Sequence, residues 1–382
     1  MESLFLHEFH HNLGARFAEV SGVEVVSDYG DWLAEHAALR ESAGVIDLSF
    51  RSRICLVGND RARFLHGQVT NDVKKLRAGE GCYAAITTAK GKMESDLNIF
   101  ALADELLLDF EPGLTEKIST RLEKFIVADD VQIVDAAPHY GLLSVQGTKA
   151  AEVIRALNLF PEIPTPQLGS IKISDATLGD IYLANNSRFG LRRHVAALES
   201  ADMSAHSKFS GGFDLFVPNN SLGAVADKLI AAAKQIGGRA CGWTAFETAR
   251  VEAGVPRFGA DMDGTNIPLE CGIENRAIVY NKGCYIGQEV INRVHSVGHV
   301  TRELRGLRLA DDLKTLPQRG DKLFFNVREI GHVTSAVKSP SLNANIALGY
   351  VRREANQIGN ELVLRTAAGE SPAKIAALPF GK

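Results

Sequence analysis

The sequence predicts an α+β fold made of two related α/β portions followed by a small β-barrel. Three observations carry that prediction. Helical and strand periodicities alternate through the first 299 residues, a strand–glycine–cap–helix pattern occurs twice, and after Gly298 the chain breaks into short strands divided by Gly, Pro and Asn. The expected boundaries are an α/β region over residues 1–299 and a barrel over residues 300–382.

The elements follow in order. Trp32, Leu33, His36, Ala37 and Arg40 recur at helical spacing and make Asp31–Glu41 an amphipathic helix. Arg53–Val57 reads as a strand closed by Gly58-Asn59, with Asn59 as the N-cap of a helix holding Phe64 and Leu65. Tyr83–Thr87 and Asp96–Leu102 read as strands on either side of the polar loop Ala89-Lys90-Gly91-Lys92. Leu114, Ile118, Leu122 and Phe125 give one buried face to a helix over 114–125, and Val131–Val134 is a β-branched strand. Val57-Gly58-Asn59-Asp60-Arg61 is then echoed by Val145-Gln146-Gly147-Thr148-Lys149, and each leads into a short helix. Two similar α/β halves packed together explain the echo.

Pro161–Pro166 reads as a connection. Ala224–Ile236 is an Ala-rich helix ended by Gly237-Gly238, and Gly242–Val251 is a second helix capped by Thr244. Leu304–Leu309, Lys322–Phe325, Gly331–Ala336, Ala344–Val351 and Glu361–Arg365 are the strands of the expected barrel.

Composition excludes several classes. A chain of 382 residues is too long for one ordinary core, and 45% apolar with 23% charged residues argues against disorder. No apolar run is long enough to span a bilayer. Lys plus Arg number 42 against 46 Asp plus Glu, a net charge of −4, so the surface as a whole does not track nucleic acid. The first dozen residues carry Glu2 and Glu8 and no Lys or Arg, unlike a signal or transit peptide, so a cytoplasmic location is expected. Five cysteines form no CxxC pair, which suits a reducing compartment and gives no reason to expect a metal site.

The densest chemical signal is Lys282-Gly283-Cys284-Tyr285-Ile286-Gly287-Gln288-Glu289. Two glycines bracket a thiol, and Lys282 two residues before it would favour the thiolate. The alternative is a tight loop whose glycines serve geometry alone. From Lys282 to Arg308 five Lys or Arg face two Glu, a local balance of +3 that would attract an anionic ligand or the phosphates of an RNA.

That octapeptide is similar to the signature of the YgfZ-type folate-binding protein family. Phe64-Leu65-His66-Gly67-Gln68-Val69-Thr70-Asn71-Asp72 resembles the family's early Gln-x-Thr-x-Asp region, and Ala89-Lys90-Gly91-Lys92 its Lys-Gly-[Lys/Arg] loop. The wider superfamily includes the glycine-cleavage T-protein, an aminomethyltransferase. Its pattern is echoed by Glu35-His36, Ala249 to Gly254, Pro268-Leu269-Glu270 and Ile346 to Val351.

The resemblance implies a T-protein-like three-part ring, with two related α/β folate-binding portions around a central tetrahydrofolate site and a C-terminal β-barrel. It implies an accessory protein that supports synthesis or repair of iron–sulfur enzymes, tRNA-modifying ones among them. Folate is then the expected partner, with iron–sulfur client enzymes beside it; direct tRNA binding is disfavoured, because no stacking aromatics interleave the basic residues near 293–308. The alternative it implies is a folate-dependent one-carbon (aminomethyl) transferase or demethylase acting on a small amine. Carried onto this chain, Cys284 and Asp96 are the catalytic candidates. Lys90, Lys92, Asp214, Arg250, Lys282 and Gln288 are the folate-binding ones.

Two stretches depart from the T-protein pattern. Its Gly-Gly-x-x-Asp-Asp loop corresponds to Gly91-Lys92-Met93-Glu94-Ser95-Asp96, so one acid of the pair is Ser95. Its Thr-Gly-Glu-x-Gly-x-Glu stretch corresponds to Lys208–Asp214, where Gly212 and the shorter acid Asp214 survive. Arg250 would bind a pterin or glutamyl carboxylate bidentately, or else pin its own helix through Glu247 or Glu252.

Overall fold

The computed structural model describes residues 3–189 and 211–380. The chain groups into two compact units, each assembled from two segments: Met1–Arg51 with Ala136–Ala249, and Ser52–Asp135 with Arg250–Lys382.

In chain order the first segment holds α1 (His7–Asn12), β1 (Arg16–Val20), β2 (Val23–Asp28), α2 (Trp32–Glu41) and β3 (Gly44–Asp47). The second holds β4 (Ser52–Val57), α3 (Arg61–Gln68), β5 (Gly81–Thr87), β6 (Met93–Ala101), β7 (Glu105–Phe110), α4 (Thr115–Glu123) and β8 (Gln132–Asp135). Next come β9 (Tyr140–Gln146), α5 (Ala150–Ala156), β10 (Ser170–Asp175), β11 (Gly179–Asn185), β12 (Gly212–Pro218), α6 (Asn219–Gln235), β13 (Arg239–Ala240) and α7 (Trp243–Glu252). The remainder contributes α8 (Glu274–Ala277), α9 (Gln288–Ser296) and strands β14 (Arg302–Leu309), β15 (Lys322–Phe325), β16 (Arg328–Ser339), β17 (Ala344–Arg352), β18 (Glu361–Thr366) and β19 (Gly369–Ala376).

The two α/β portions share one strand order. The sheet of the second unit has the order β5-β6-β7-β4-β8, and that of the first has β10-β11-β12-β9-β3, extended by β13. In each, one central strand (β4 or β9) leads through a glycine into a helix and its neighbour (β7 or β12) leads into another, whereas the last strand of the shared order comes after these in one unit (β8) and before them in the other (β3). The correspondence reaches single residues. Gly58 and Gly147 both have positive φ, and a Cβ would meet Asp130 O at 2.2 Å on the first and Ser42 O at 2.4 Å on the second. Those same carbonyls accept from the backbone N–H of Asp60 (3.1 Å) and Lys149 (2.8 Å). Before the glycines, Ile54 and Leu56 answer to Leu143 and Val145; after them, Phe64 and Leu65 answer to Val153 and Ile154, all buried. The echo in the sequence is thus one α/β design used twice.

Each sheet buries one face under its helices. In the second unit Phe64, Leu65, Ile118 and Leu122 pack on Ile54, Leu56, Ile99 and Leu108. In the first, Val153, Leu222, Val225 and Leu229 pack on Leu143, Val145, Leu183 and Leu215. The strands after Gly298 close into a six-stranded barrel, β14-β17-β16-β15-β18-β19, with Leu307, Leu323, Val333, Val351 and Leu364 in its core.

Helix boundaries differ from expectation where caps decide them. Asp31 does cap α2, accepting from Ala34 N at 3.1 Å. For α3 the N-cap is Asp60, because Asn59 is drawn aside: its N–H and side-chain amide both donate to Asp130 Oδ2. Helix α6 starts at Asn219, five residues early, since the turn after Pro218 already buries Ser221 and Leu222. Helix α7 starts at Trp243, which places Thr244 inside the helix. Among the described residues no helix is long and apolar enough to cross a membrane.

Candidate active site

The β5–β6 hairpin of the second unit presents Asp96. Along β6 burial alternates residue by residue from Met93 to Asn98, so Met93, Ser95 and Leu97 face the core while Asp96 and Asn98 face the other side. Asp96 stands opposite Ala85, and Tyr83 opposite Asn98, which puts Tyr83 and Asp96 on one face as a diagonal pair. Tyr83 Oη donates to Asp96 Oδ2 at 2.7 Å. Burial and the adjacent Asp96 carboxylate push the Tyr83 phenol well up, so the ring stays a neutral donor. The Arg276 guanidinium lies 4.7 Å over the Tyr83 ring. Asn71 then ties strand to loop, donating through Nδ2 to Tyr83 O (2.8 Å) and Arg276 O (3.1 Å). The result is a half-buried carboxylate held by a neutral phenol, a geometry suited to accepting and returning a proton.

Three motifs that are far apart in the chain converge here. Gly287 has φ +90°, and a Cβ on it would lie 2.6 Å from both Thr87 Oγ1 and Thr88 O and 3.2 Å from Gly91 Cα. Thr87 Oγ1 also donates to Ile286 O at 2.7 Å. The Lys90–Lys92 loop and the Lys282–Glu289 loop therefore touch backbone to backbone, and these glycines serve that contact. Lys282 is buried, and its Nζ donates to the carbonyls of His66, Val69 and Asn71 at 2.6, 2.7 and 2.7 Å. Burial pulls its pKa down to about 8. All three of its N–H bonds thus pin the octapeptide loop to the Phe64–Asp72 segment, a use that the spacing to Cys284 did not suggest. Cys284 itself is exposed at the loop's tip, whereas Cys55, Cys241 and Cys271 are buried. His66 lies behind the loop, its Nδ1 3.2 Å from Asp72 Oδ1, with burial and the Lys282 cation holding its pKa down.

The other expected ligands divide by what already binds them. Lys90 is exposed on its loop, and Gln288 is half-buried as the first residue of α9. Lys92 Nζ donates to Thr265 O at 2.6 Å. Arg250 is buried and makes an ion pair with Asp261 (Nη1–Oδ2, 2.7 Å), with further bonds to Val255 O (2.6 Å) and Ser335 Oγ (3.0 Å). Asp261, eleven residues on, is a partner absent from the sequence reading, and it also accepts from Ser335 Oγ at 2.7 Å and from Thr334 Oγ1. In the first unit Asp214 is fully buried. It accepts from Ser144 Oγ (2.7 Å), Asn186 Nδ2 (2.8 Å) and the Arg188 guanidinium, with Nη2 at 2.6 Å. Of the Lys208–Asp214 stretch, residues 208–210 lie outside the described residues.

The local excess of +3 is also largely engaged. Arg305 pairs with Glu303, Arg302 approaches Glu270 at 3.5 Å and stacks over Tyr350, and Lys282 is buried. Sequence reasoning missed Arg276, Arg188 and Asp261 altogether. Asn71 and His66 were part of a quoted motif, but without a role. Nothing in the local spacing signals these five, because their contacts are set by loops and strand register, and for Arg276 on Tyr83 by a separation of nearly two hundred residues. Among the described residues no group of three or more His, Cys, Asp or Glu is arranged to hold a metal ion.

Comparison with known proteins adds the family context. Residues 6–184 and 207–282 match the model of the GCVT N-terminal domain, and residues 302–382 match the glycine cleavage T-protein C-terminal barrel domain. The chain is 26% identical over 380 residues to an aminomethyltransferase of Listeria monocytogenes, covering 99% of this chain and 97% of that one. It is 28% identical over 388 residues to the aminomethyltransferase of Corynebacterium jeikeium, covering 98% and 97%. In fold it is similar to the crystal structure of glycine cleavage system aminomethyltransferase T from Bartonella henselae, with a TM-score of 0.84 at 22% identity, covering 100% of this chain and 98% of that one.

Proposed function

The chain belongs to the glycine cleavage T-protein family, and we propose that it is a tetrahydrofolate-dependent one-carbon transferase acting on a small amine. The observation that carries this reading is Asp96, a half-buried carboxylate held by the Tyr83 hydroxyl on the strand where the family pattern puts its acid. The full-length relatives named aminomethyltransferase support it.

The second unit offers groups that fit a folate. Asp96 is an accessible acceptor for a protonated amine or ring N–H, and Lys90 is an exposed cation for a glutamyl carboxylate. Gln288 adds an amide at the start of α9. Lys92, Lys282, Arg250 and Asp214 bind protein groups and act as the frame that fixes these loops. Tetrahydrofolate, when bound, supplies the ring nitrogen that accepts the one-carbon unit. The Asp96 carboxylate would take up the proton released on that transfer and return it to the departing amine. Tyr83 remains protonated throughout and fixes the carboxylate's orientation.

The test is turnover. Incubation with tetrahydrofolate and an aminomethylated donor should yield methylenetetrahydrofolate and the released amine, with a loss of roughly 100-fold or more in Asp96→Asn. Tetrahydrofolate binding with no product under anaerobic conditions would overturn the reading.

A second reading, that of a folate-binding accessory protein for iron–sulfur enzymes including tRNA-modifying ones, is favoured by one specific observation. Cys284 is exposed at the tip of a loop that Lys282 and Gly287 hold rigidly. Under that reading Cys284→Ala impairs iron–sulfur enzyme activity in a deletion strain, and full rescue by the variant refutes a role for the thiol.

A further inference from the structure

A cleft of about 290 Å³ opens in the first unit, bordered by Leu13, Tyr29, Glu35, Ile230, Lys234 and Arg239. Its volume sits at the lower end of the ~300–1,000 Å³ usual for small-molecule sites. The floor is built and satisfied. Glu35 is buried, and its two carboxylate oxygens accept from Tyr29 N (2.7 Å) and Gly242 N (2.8 Å). Ile230 is buried beside it.

One wall is rigid for a separate reason. Tyr29 Oη is 2.9 Å from His10 Nδ1, and His10 Nε2 is 2.9 Å from Asp47 Oδ2. Asp47 is buried and also accepts from Ser49 N at 2.8 Å. With Nε2–H donating to the carboxylate, Nδ1 accepts the Tyr29 O–H, so a chain of three hydrogen bonds, the His10–Asp47 one buried, fixes the phenol in place. Burial and the Asp47 charge push the phenol's pKa up, which keeps it neutral.

The rim is charged. Lys234, in the last turn of α6, and Arg239, which opens β13, are both exposed. Among the described residues neither side chain makes a direct ion pair; the Arg239 charge is felt by Glu35 across the cleft, but that carboxylate draws its hydrogen bonds from backbone N–H groups. Two cations thus overhang a cleft whose sides are the apolar Leu13 and Ile230 and the Tyr29 ring.

We propose that this cleft binds a small monocarboxylate with a short apolar body, its carboxylate met by Arg239 and Lys234 and its carbon chain laid against Leu13, Tyr29 and Ile230. Nothing in the transferase reading calls for such a site. A saturation-transfer NMR titration tests it, with butyrate, inorganic phosphate and butylamine as probes. Butyrate should bind saturably and butylamine should not. The Lys234→Gln/Arg239→Gln double variant should weaken butyrate at least about tenfold, as expected for loss of charge-assisted bonds, while its melting curve and tetrahydrofolate binding stay unchanged. Butyrate that fails to saturate, saturation by phosphate alone, or equal binding by the double variant would each overturn the proposal.

Discussion

In the first unit Asp214 is fully buried and accepts from Ser144, Asn186 and Arg188; in the second, Asp96 is half-buried and accepts from Tyr83. Both lie on sheets of the same strand order. The two sheets put a carboxylate to two uses on strands that do not correspond, Asp214 on β12, which answers to β7, and Asp96 on β6. Where an arginine is folded in with it, the acid becomes an internal strut. Where a neutral phenol is its partner, the acid keeps part of its surface exposed, as the proposed proton transfer requires.

The sharpest way to break that comparison is to remove each acid. Asp214→Ala removes the carboxylate paired with the Arg188 guanidinium, of which 9% is exposed, and should cost about 3–5 kcal/mol in denaturant unfolding. Asp96→Asn keeps an acceptor for Tyr83 and should change stability by less than about 1 kcal/mol while turnover falls roughly 100-fold. Equal stability losses in the two variants would dissolve the distinction. A smaller effect concerns the frame of the second unit. Lys282→Met leaves three carbonyls, two of them in buried bonds, without their donor and should destabilise by about 2–3 kcal/mol, read as a shift in denaturant midpoint with unchanged slope.

The smallest expected effect is in pH. His66 is held below its ordinary pKa in the folded protein, so between that value and about 6.5 the unfolded chain binds the proton and the folded one does not. Stability should accordingly rise with pH through this window and level off above it. His66→Gln should flatten that rise when denaturation is compared at mildly acidic and neutral pH, and an unchanged slope would show that His66 is not its source.

Much of the fold could be read from local pattern. Periodicity located α2, α4 and the late strands, and the repeat of Gly58 at Gly147 pointed to the duplication, because a backbone carbonyl excludes any Cβ at both places. The site was legible in its residue types more than in its contacts. Asp96 could be singled out by motif, yet its partner Tyr83 is set by strand register, which the sequence leaves open. Lys282 stands two residues from Cys284 but binds carbonyls of residues 66–71, since chain proximity does not fix where a long side chain points. Arg250 finds Asp261 in a loop with no periodicity to flag it. The contact of Gly91 with Gly287 joins segments nearly two hundred residues apart, and no local rule reaches that far.

The interleaving of the two units has a consequence for how the protein is made. Strand β3 is wholly buried and hydrogen-bonds to β9 and β13, which follow it by about ninety residues or more. At a synthesis rate of about 5–20 residues per second, β3 leaves the ribosome roughly 5–20 s before its nearest partner exists. During that interval Val45 and Ile46 form an unpaired apolar edge. The nascent chain is therefore most exposed to chaperones and to aggregation between the emergence of β3 and that of β9.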